Sequence, residues 1–204
     1  MKIIVFGPPC SGKTTVAAAL AERLGIAHLS FQGLCVAQFK ANSEIGLRWN
    51  YYMSNGKPFD ESLANCIASE SLRTHKAFVI EGYPKRRYEV SFFCACVGSP
   101  DLALVLSASR ESLYMRAQRR RVCIACNLTF SLDYFDLCPQ CGNLGAVRKE
   151  DSPDRLAVRL DEYQMQENDI LPELGRISLQ CFSLSTDNES PVDVLESIVS
   201  MMCY

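Results

Sequence analysis

Residues 7–15 read GPPCSGKTT and follow directly on the apolar run Ile3–Phe6, and no other stretch limits the possible folds as strongly. Gly7, Gly12, Lys13 and Thr14 fill the pattern G-x-x-x-x-G-K-[ST], with Pro8, Pro9, Cys10 and Ser11 between the glycines and Thr15 after them. A glycine-bearing turn of this kind points successive backbone N–H groups inward at phosphate oxygens. Its lysine spans two phosphates, and its hydroxyl can ligate Mg²⁺. Such a motif means something only between a strand and a helix. Here a buried-type strand precedes it, and VAAALAERL at Val16–Leu24 reads as a helix after it. Gly7–Thr15 is therefore read as a phosphate-binding loop, which does not by itself name a reaction.

The rest of the chain alternates between two periods. Lys2–Phe6, Ala27–Ser30, Phe78–Glu81, Leu102–Ser107 and Cys181–Ser185 read as strands. Lys13–Leu24, Gly33–Lys40, Ser43–Met53, Ser62–Arg73, Arg110–Arg121, Asp154–Asp169 and Val192–Met202 read as helices. This alternation predicts an α/β fold of the P-loop NTPase type, a parallel five-stranded sheet with helices on both faces. At 204 residues the chain is long enough for one large domain of this kind, burying roughly 70% of its unfolded surface.

One segment breaks the rhythm. From Cys123 to about Val147 the helical period is lost, and the pairs Cys123/Cys126 and Cys138/Cys141 stand eleven residues apart. Two Cys-x-x-Cys pairs at this spacing suit a tetrahedral zinc site, and Asn127 and Gly142 follow each pair where a tight knuckle favours positive φ. An insert this short has too little apolar surface to fold alone, and a metal can contribute about 10–16 kcal/mol in small zinc peptides. Structural Zn²⁺ is the expectation, with disulfides or unligated thiols as the alternatives. The other seven of the eleven cysteines, Cys10, Cys35, Cys66, Cys94, Cys96, Cys181 and Cys203, are scattered. That is the pattern of thiols in a reducing compartment rather than of a secreted disulfide framework.

Charge is local. A net charge of −2 excludes a global basic field, and no apolar run reaches membrane-spanning length, so neither nucleic acid nor a membrane is an expected partner and the protein reads as cytoplasmic. Arginines nevertheless crowd the insert. Arg116, Arg119, Arg120 and Arg121 precede it, Arg148 and Lys149 leave it, and Arg155 and Arg159 follow. Arg116/Arg120 and Arg155/Arg159 are i, i+4 pairs, read as sharing a helical face. An arginine run is ordinarily a solvated face, but beside a phosphate loop Arg116, Arg120, Arg148 and Arg159 read as clamps on a transferring phosphoryl group.

Taken together, the loop, EGYPK at Glu81–Lys85, MRAQRRRV at Met115–Val122, the four insert cysteines, RKED at Arg148–Asp151 and RLDEY at Arg159–Tyr163 resemble the adenylate kinase family of nucleoside monophosphate kinases. The likeness is to the long form, whose lid carries a zinc insert, and it runs along nearly the whole chain. It implies a core of residues 1–29, 61–121 and 149–204, a helical acceptor segment at 30–60 and a zinc-ribbon lid at 122–148. It also implies a monomer using ATP-Mg²⁺ and a nucleoside monophosphate. Gly7, Gly12, Lys13, Arg116, Arg120, Arg148 and Arg159 match family positions on the nucleotide phosphates. Thr14 stands where the family usually has glycine, and Glu81 where it has the aspartate that helps hold Mg²⁺, so Thr14 and Glu81 are the expected magnesium pair.

The acceptor side departs from the family. Phe31 takes the place of a threonine near the base, Val36 that of an arginine on the acceptor phosphate, Lys85 that of the arginine ending the family's DGFPR motif, and Glu89 that of the glutamine reading adenine. A carboxylate only accepts, so adenine N1 is disfavoured, whereas the adjacent N1–H and N2–H of guanine suit it. The expectation is in-line phosphoryl transfer to an acceptor other than ordinary AMP, with a kinase for another small molecule or a non-catalytic ATP-binding module as alternatives. A hydroxyl acceptor would call for a base, Glu81 or Glu89. Of Trp49, Tyr51 and Tyr52, at least one is expected to pack on the core, and His28 and His75 read as surface or boundary residues.

Overall fold

The computed structural model describes residues 1–55, 57, 61–126 and 128–202. Asn127, Cys203 and part of the acceptor segment (56 and 58–60) lie outside the described residues. In chain order the elements are β1 (Lys2–Phe6), α1 (Lys13–Leu24), β2 (Ala27–Ser30), α2 (Phe31–Lys40), α3 (Glu44–Ser54), α4 (Glu61–Thr74), β3 (Phe78–Glu81), α5 (Arg87–Val97) and β4 (Leu102–Ser107). Then come α6 (Arg110–Arg119), β5 (Arg120–Cys123), β6 (Thr129–Ser131), β7 (Gly145–Ala146), a 3₁₀ turn at Lys149–Asp151, α7 (Pro153–Ile177), β8 (Gln180–Ser185) and α8 (Pro191–Met202).

The five expected strands form one parallel sheet in the order β2-β3-β1-β4-β8. Its strands alternate between two apolar layers. Ile4, Phe6, Phe78, Ile80, Ala103 and Val105 face the layer completed by α2, α4, α5 and α7. Ile3, Val5, Val79, Leu102, Leu104 and Leu106 face the layer made by α1 and α8. Because both faces are covered, the central strands carry unbroken apolar runs, Ile3–Phe6, Phe78–Ile80 and Leu102–Leu106, rather than an apolar residue at every second position. Among the described residues no helix is long and apolar enough to cross a membrane. Trp49 and Tyr52 pack against the first layer while Tyr51 stays exposed. His28 is half-buried in β2 and His75 is exposed.

Four helices differ from the sequence expectation. α5 was not anticipated, since RYEVSFFCACV is rich in aromatic and β-branched residues of modest helix propensity. Burial of Val90 and Phe93 in the first layer decides its form. α7 runs past the expected end at Asp169 to Ile177, through Pro172. An interior proline costs about 3 kcal/mol, and Ile170 and Leu174, both fully buried, offset it. α2 begins two residues early, at Phe31, which inserts into the core. α6 ends at Arg119, and Arg120 takes an extended backbone with φ −73 and ψ 137. Arg116 and Arg120 therefore do not share a helical face. Pairing of Arg120 with Ser131 and of Arg121 with Phe130 draws the chain into β5, the centre of a small antiparallel sheet ordered β6-β5-β7.

Helices α2 and α3 cross where Gly46 lies against the α2 end. A Cβ built on Gly46 would fall 2.3 Å from the carbonyl carbon of Gln38, whereas one on Gly175 of α7 meets nothing within 4 Å. Gly46→Ala is therefore expected to lower stability by about 1–3 kcal/mol through overpacking, and Gly175→Ala to raise it by up to about 1 kcal/mol through helix propensity. Urea titration of both variants checks the pair, and equal shifts would contradict the packing.

Candidate active site

The loop leaves β1 at the carboxyl edge of the sheet, the edge at which open α/β sheets take their ligands. It is closed by Ser11 N–H donating to the Pro8 carbonyl (3.2 Å), and it feeds α1 through Val16 N–H to the Gly12 carbonyl (2.9 Å). Cys10 holds a left-handed φ of 66, rare for a residue with a side chain. Its buried side chain packs with Leu113, Ala117, Leu156 and Leu160, which tie the loop to α6 and α7. Burial pushes its thiol up.

Lys13 donates from Nζ to the Pro8 carbonyl at 2.6 Å. Crowding by protein lowers its pKa to about 7; the Glu81 charge opposes the shift, and Lys85 and Arg159 add to it. One residue on, Thr14 Oγ1 donates to Glu81 Oε1 at 3.3 Å. Glu81 ends β3, is only 7% exposed, and lies in register between Val5 of β1 and Ser30 of β2. The two residues expected to hold magnesium thus meet through their side-chain oxygens, atoms of the hard type that Mg²⁺ prefers.

The arginines converge on an acid that sequence reading did not single out. Asp151, whose side chain is 0% exposed, accepts from Arg120 Nε at 2.7 Å and from Arg120 Nη2 in a bidentate fork. Arg159 Nη1 reaches the same carboxylate at 3.4 Å and the Glu150 carbonyl at 3.1 Å. Burial, and then the charge of Arg120, lowers the Arg159 pKa. Arg148 lies 3.7 Å from Glu150. Arg116 has different partners, donating from Nη1 to Thr186 Oγ1 at 2.8 Å and from Nη2 to the Thr186 carbonyl. Arg119 pairs with Asp133, and Arg121 donates to the Gln118 carbonyl. RKED had drawn notice for its likeness to the family, but only the fold shows that its last carboxylate is dry and doubly paired.

On the acceptor side, Phe31, Gly82, Lys85 and Glu89 line one pocket of about 130 Å³. Tyr83, Arg86, Tyr88 and Gln166 also line it, Arg86 Nη1 donating to the Tyr88 hydroxyl at 2.9 Å, and none of these was foreseen. Val36, Arg148 and Arg159 are not in its lining. Phe31 stacks on Tyr83 with ring centroids 5.6 Å apart and planes at 20°. Glu89 is 6% exposed and its Oε2 accepts from the Lys85 backbone N–H at 2.7 Å. As the third residue of α5 it also favours the positive end of that helix. Burial raises its pKa all the same. Lys85 reaches solvent, but the protein around it lowers its pKa, and Glu89 and Glu81 oppose the shift.

The four insert cysteines gather at one point, their sulfur atoms all within 4.8 Å of one another. Cys123 to Cys141 is 3.4 Å, Cys126 to Cys138 is 3.5 Å and Cys126 to Cys141 is 3.6 Å. A tetrahedron with Zn–S bonds of about 2.3 Å has edges of about 3.8 Å, while a disulfide would need about 2.05 Å. The donor set therefore fits a tetrahedral metal and not a pair of bridges. Backbone N–H groups of Ala125 and Cys126 point at Cys123 Sγ. Gly142 carries the positive φ, 70, expected of the second knuckle, and the Asn143 amide donates to Cys141 Sγ and draws that thiol below its usual range.

Comparison with known proteins agrees with this arrangement. The family profile described as adenylate kinase matches residues 5–174. The chain is 29% identical over 178 residues to an adenylate kinase of Clostridium acetobutylicum, covering 81% of this chain and 83% of the relative. It is 28% identical over 214 aligned positions to one of Mycoplasmopsis pulmonis, at 98% and 99% coverage. To one of Pyrococcus abyssi it is 27% identical over 173 residues, at 80% and 79%.

The depressed pKa of Lys13 has a measurable consequence. With its pKa lowered to about 7, Lys13 would be largely neutral around pH 8, and a polyphosphate placed beside it would favour the ammonium form. ATP binding is therefore expected to take up a proton between pH 7.5 and 8.5, and to weaken by up to about tenfold per pH unit above 7. Calorimetric titrations in two buffers of different ionisation enthalpy check this, and identical heats would contradict it.

Proposed function

The chain belongs to the adenylate kinase family, and from that premise we propose which of its residues carry out ATP-dependent transfer to a nucleoside monophosphate, and which monophosphate they take. The observation that carries the assignment is the meeting, at one edge of the sheet, of the Lys13 loop, the Thr14–Glu81 contact and the Asp151-centred arginines. In this reading residues 7–15 hold the ATP phosphates. Lys13 exchanges the Pro8 carbonyl for phosphate oxygens, and Arg116, Arg120, Arg148 and Arg159 meet the charge that spreads over the transferring group. Thr14 and Glu81 would hold Mg²⁺, which supplies charge neutralisation on the phosphates when bound. Phosphoryl transfer is in line, and a phosphate oxygen as acceptor needs no general base.

Residues 30–60 together with Gly82, Lys85 and Glu89 receive the acceptor. Residues 122–148 form a lid that excludes water so that hydrolysis does not compete, and residues 1–29, 61–121 and 149–204 form the core between them. The same reading takes the chain as a cytoplasmic monomer acting on soluble nucleotides, with neither nucleic acid nor membrane as partner. A net charge of −2 weighs against wholesale binding to nucleic acid or an acidic membrane surface.

The acceptor is proposed to be other than AMP. Val36 offers no charge, and Lys85 offers a point charge in place of a planar fork, so phosphate capture is weak and a high KM follows. Glu89, fixed by the backbone at Lys85, presents acceptor lone pairs to the pocket, which suits the paired donors of guanine and opposes adenine N1. ADP formation measured with AMP, GMP, CMP and UMP is expected to show GMP ahead of AMP. AMP turning over best at micromolar KM would overturn the acceptor assignment. Loss of the family arginines at Val36 and Lys85 also favours a second reading, a different small phosphate acceptor, which turnover of none of the four would support.

The four cysteines are proposed to bind Zn²⁺ structurally, with no coordination position left for chemistry. Purified protein is expected to carry about one zinc per chain. Chelation or Cys138→Ser should lower the melting temperature, by about 2–4 °C per kcal/mol lost. Protein free of zinc, or an unchanged melting curve for Cys138→Ser, would contradict a structural metal.

A further inference from the structure

Thr186 follows β8 directly, at the carboxyl end of the edge strand, and is only 3% exposed. Its hydroxyl accepts from Arg116 Nη1 at 2.8 Å and has the Ser107 carbonyl at 3.1 Å and the Ser11 carbonyl at 3.3 Å as places for its own proton. Its backbone N–H donates to the Ser107 carbonyl at 2.8 Å, and its own carbonyl accepts from Arg116 Nη2. One buried residue thus touches the phosphate loop, the end of β4 and an arginine of α6, three segments that sequence separation keeps far apart.

We propose that Thr186 is a positioning residue for phosphoryl transfer, its hydroxyl and carbonyl gripping one edge of the Arg116 guanidinium and fixing that plane against the phosphate loop. The inference rests on the reading of Arg116 as a ligand of the nucleotide. A guanidinium has five N–H groups in a rigid fork. With two of them held by Thr186, the remaining three and both faces of the plane stay available to nucleotide in a set orientation. Without the hydroxyl, Arg116 keeps a single carbonyl contact and regains rotation about it, so that its charge must be ordered anew in each catalytic cycle. Valine has the shape of threonine but neither donates nor accepts, which makes it the discriminating substitution.

The test is kinetic, on the full chain, with the best monophosphate from the four-nucleotide panel. Thr186→Val is expected to lower kcat about tenfold, the scale of one hydrogen bond to a charged group, with the acceptor KM within twofold of the parent. Thr186→Ser, which keeps the oxygen, should restore most of the rate. Adding Thr186→Val to Arg116→Ala should cost less than a further twofold, because the partner is already gone. Should the valine variant not fold, Thr186→Ala removes the same hydroxyl and carries the same expectations. An unchanged kcat without the hydroxyl, a serine variant as slow as the valine one, or full additivity with Arg116→Ala would each overturn the proposal. Failure of the parent protein to turn over any monophosphate would instead overturn the broader reading of the site, and it is recorded before any variant is made.

Discussion

Two arginines can stand side by side at the edge of this sheet only because a dry carboxylate stands between them. Asp151 is fully shielded from solvent and touches both Arg120 and Arg159. Without it, two like charges in a low-dielectric cleft would repel one another, and each would lose hydration with nothing in return. The carboxylate belongs to a 3₁₀ turn, Arg120 to the first strand of the small sheet and Arg159 to α7. A single carboxylate, through two ionic contacts, therefore marks where three separate segments meet. The phosphate loop joins the same junction through Cys10, whose side chain packs among residues of α6 and α7.

The second organising feature is the parallel sheet itself. With both faces covered, β1 after Lys2, and β3 and β4 from their first residues, have no polar position until their carboxyl ends, and the residues of the site begin where that apolar run stops: Gly7 after Phe6, Glu81 at the end of β3, Ser107 at the end of β4. Glu81 is the clearest case. Its backbone is committed to pairing on both sides, and its side chain is left to meet Thr14 from the neighbouring turn.

Much of this was legible in the sequence because it depends on local chemistry. The loop is recognisable from four residues, and the cysteine pairs from their spacing. The five strands show in short apolar runs, and the structure brings each of these together as read. What was not legible depends on distant contacts. α5 forms because Val90 and Phe93 find a core, not because its residues favour helix. α7 ignores a proline because the residues around it are buried. Arg120 leaves α6 because Ser131 and Phe130 lie ready to pair. Asp151 was noticed only as the end of RKED and Thr186 lies in no motif, and the importance of both lies in what the fold places around them. Glu89 shows the converse: a position singled out for a base-reading role also tethers the start of a helix by accepting from the Lys85 backbone.

The boundary between α6 and β5 has a mechanical side. The helix ends at Arg119 and the strand starts at Arg120, with no residue between them to act as slack. Arg120 is at once the last link of a rigid rod and the first of a hydrogen-bonded ribbon, and its side chain is tied to Asp151. Any swing of the three-stranded sheet relative to α6 turns the backbone on this side at Arg120, whose side chain is tied to Asp151. The cysteine-bearing ribbon and the cationic cluster are thereby geared to each other, like a latch whose handle and bolt are cut from one piece.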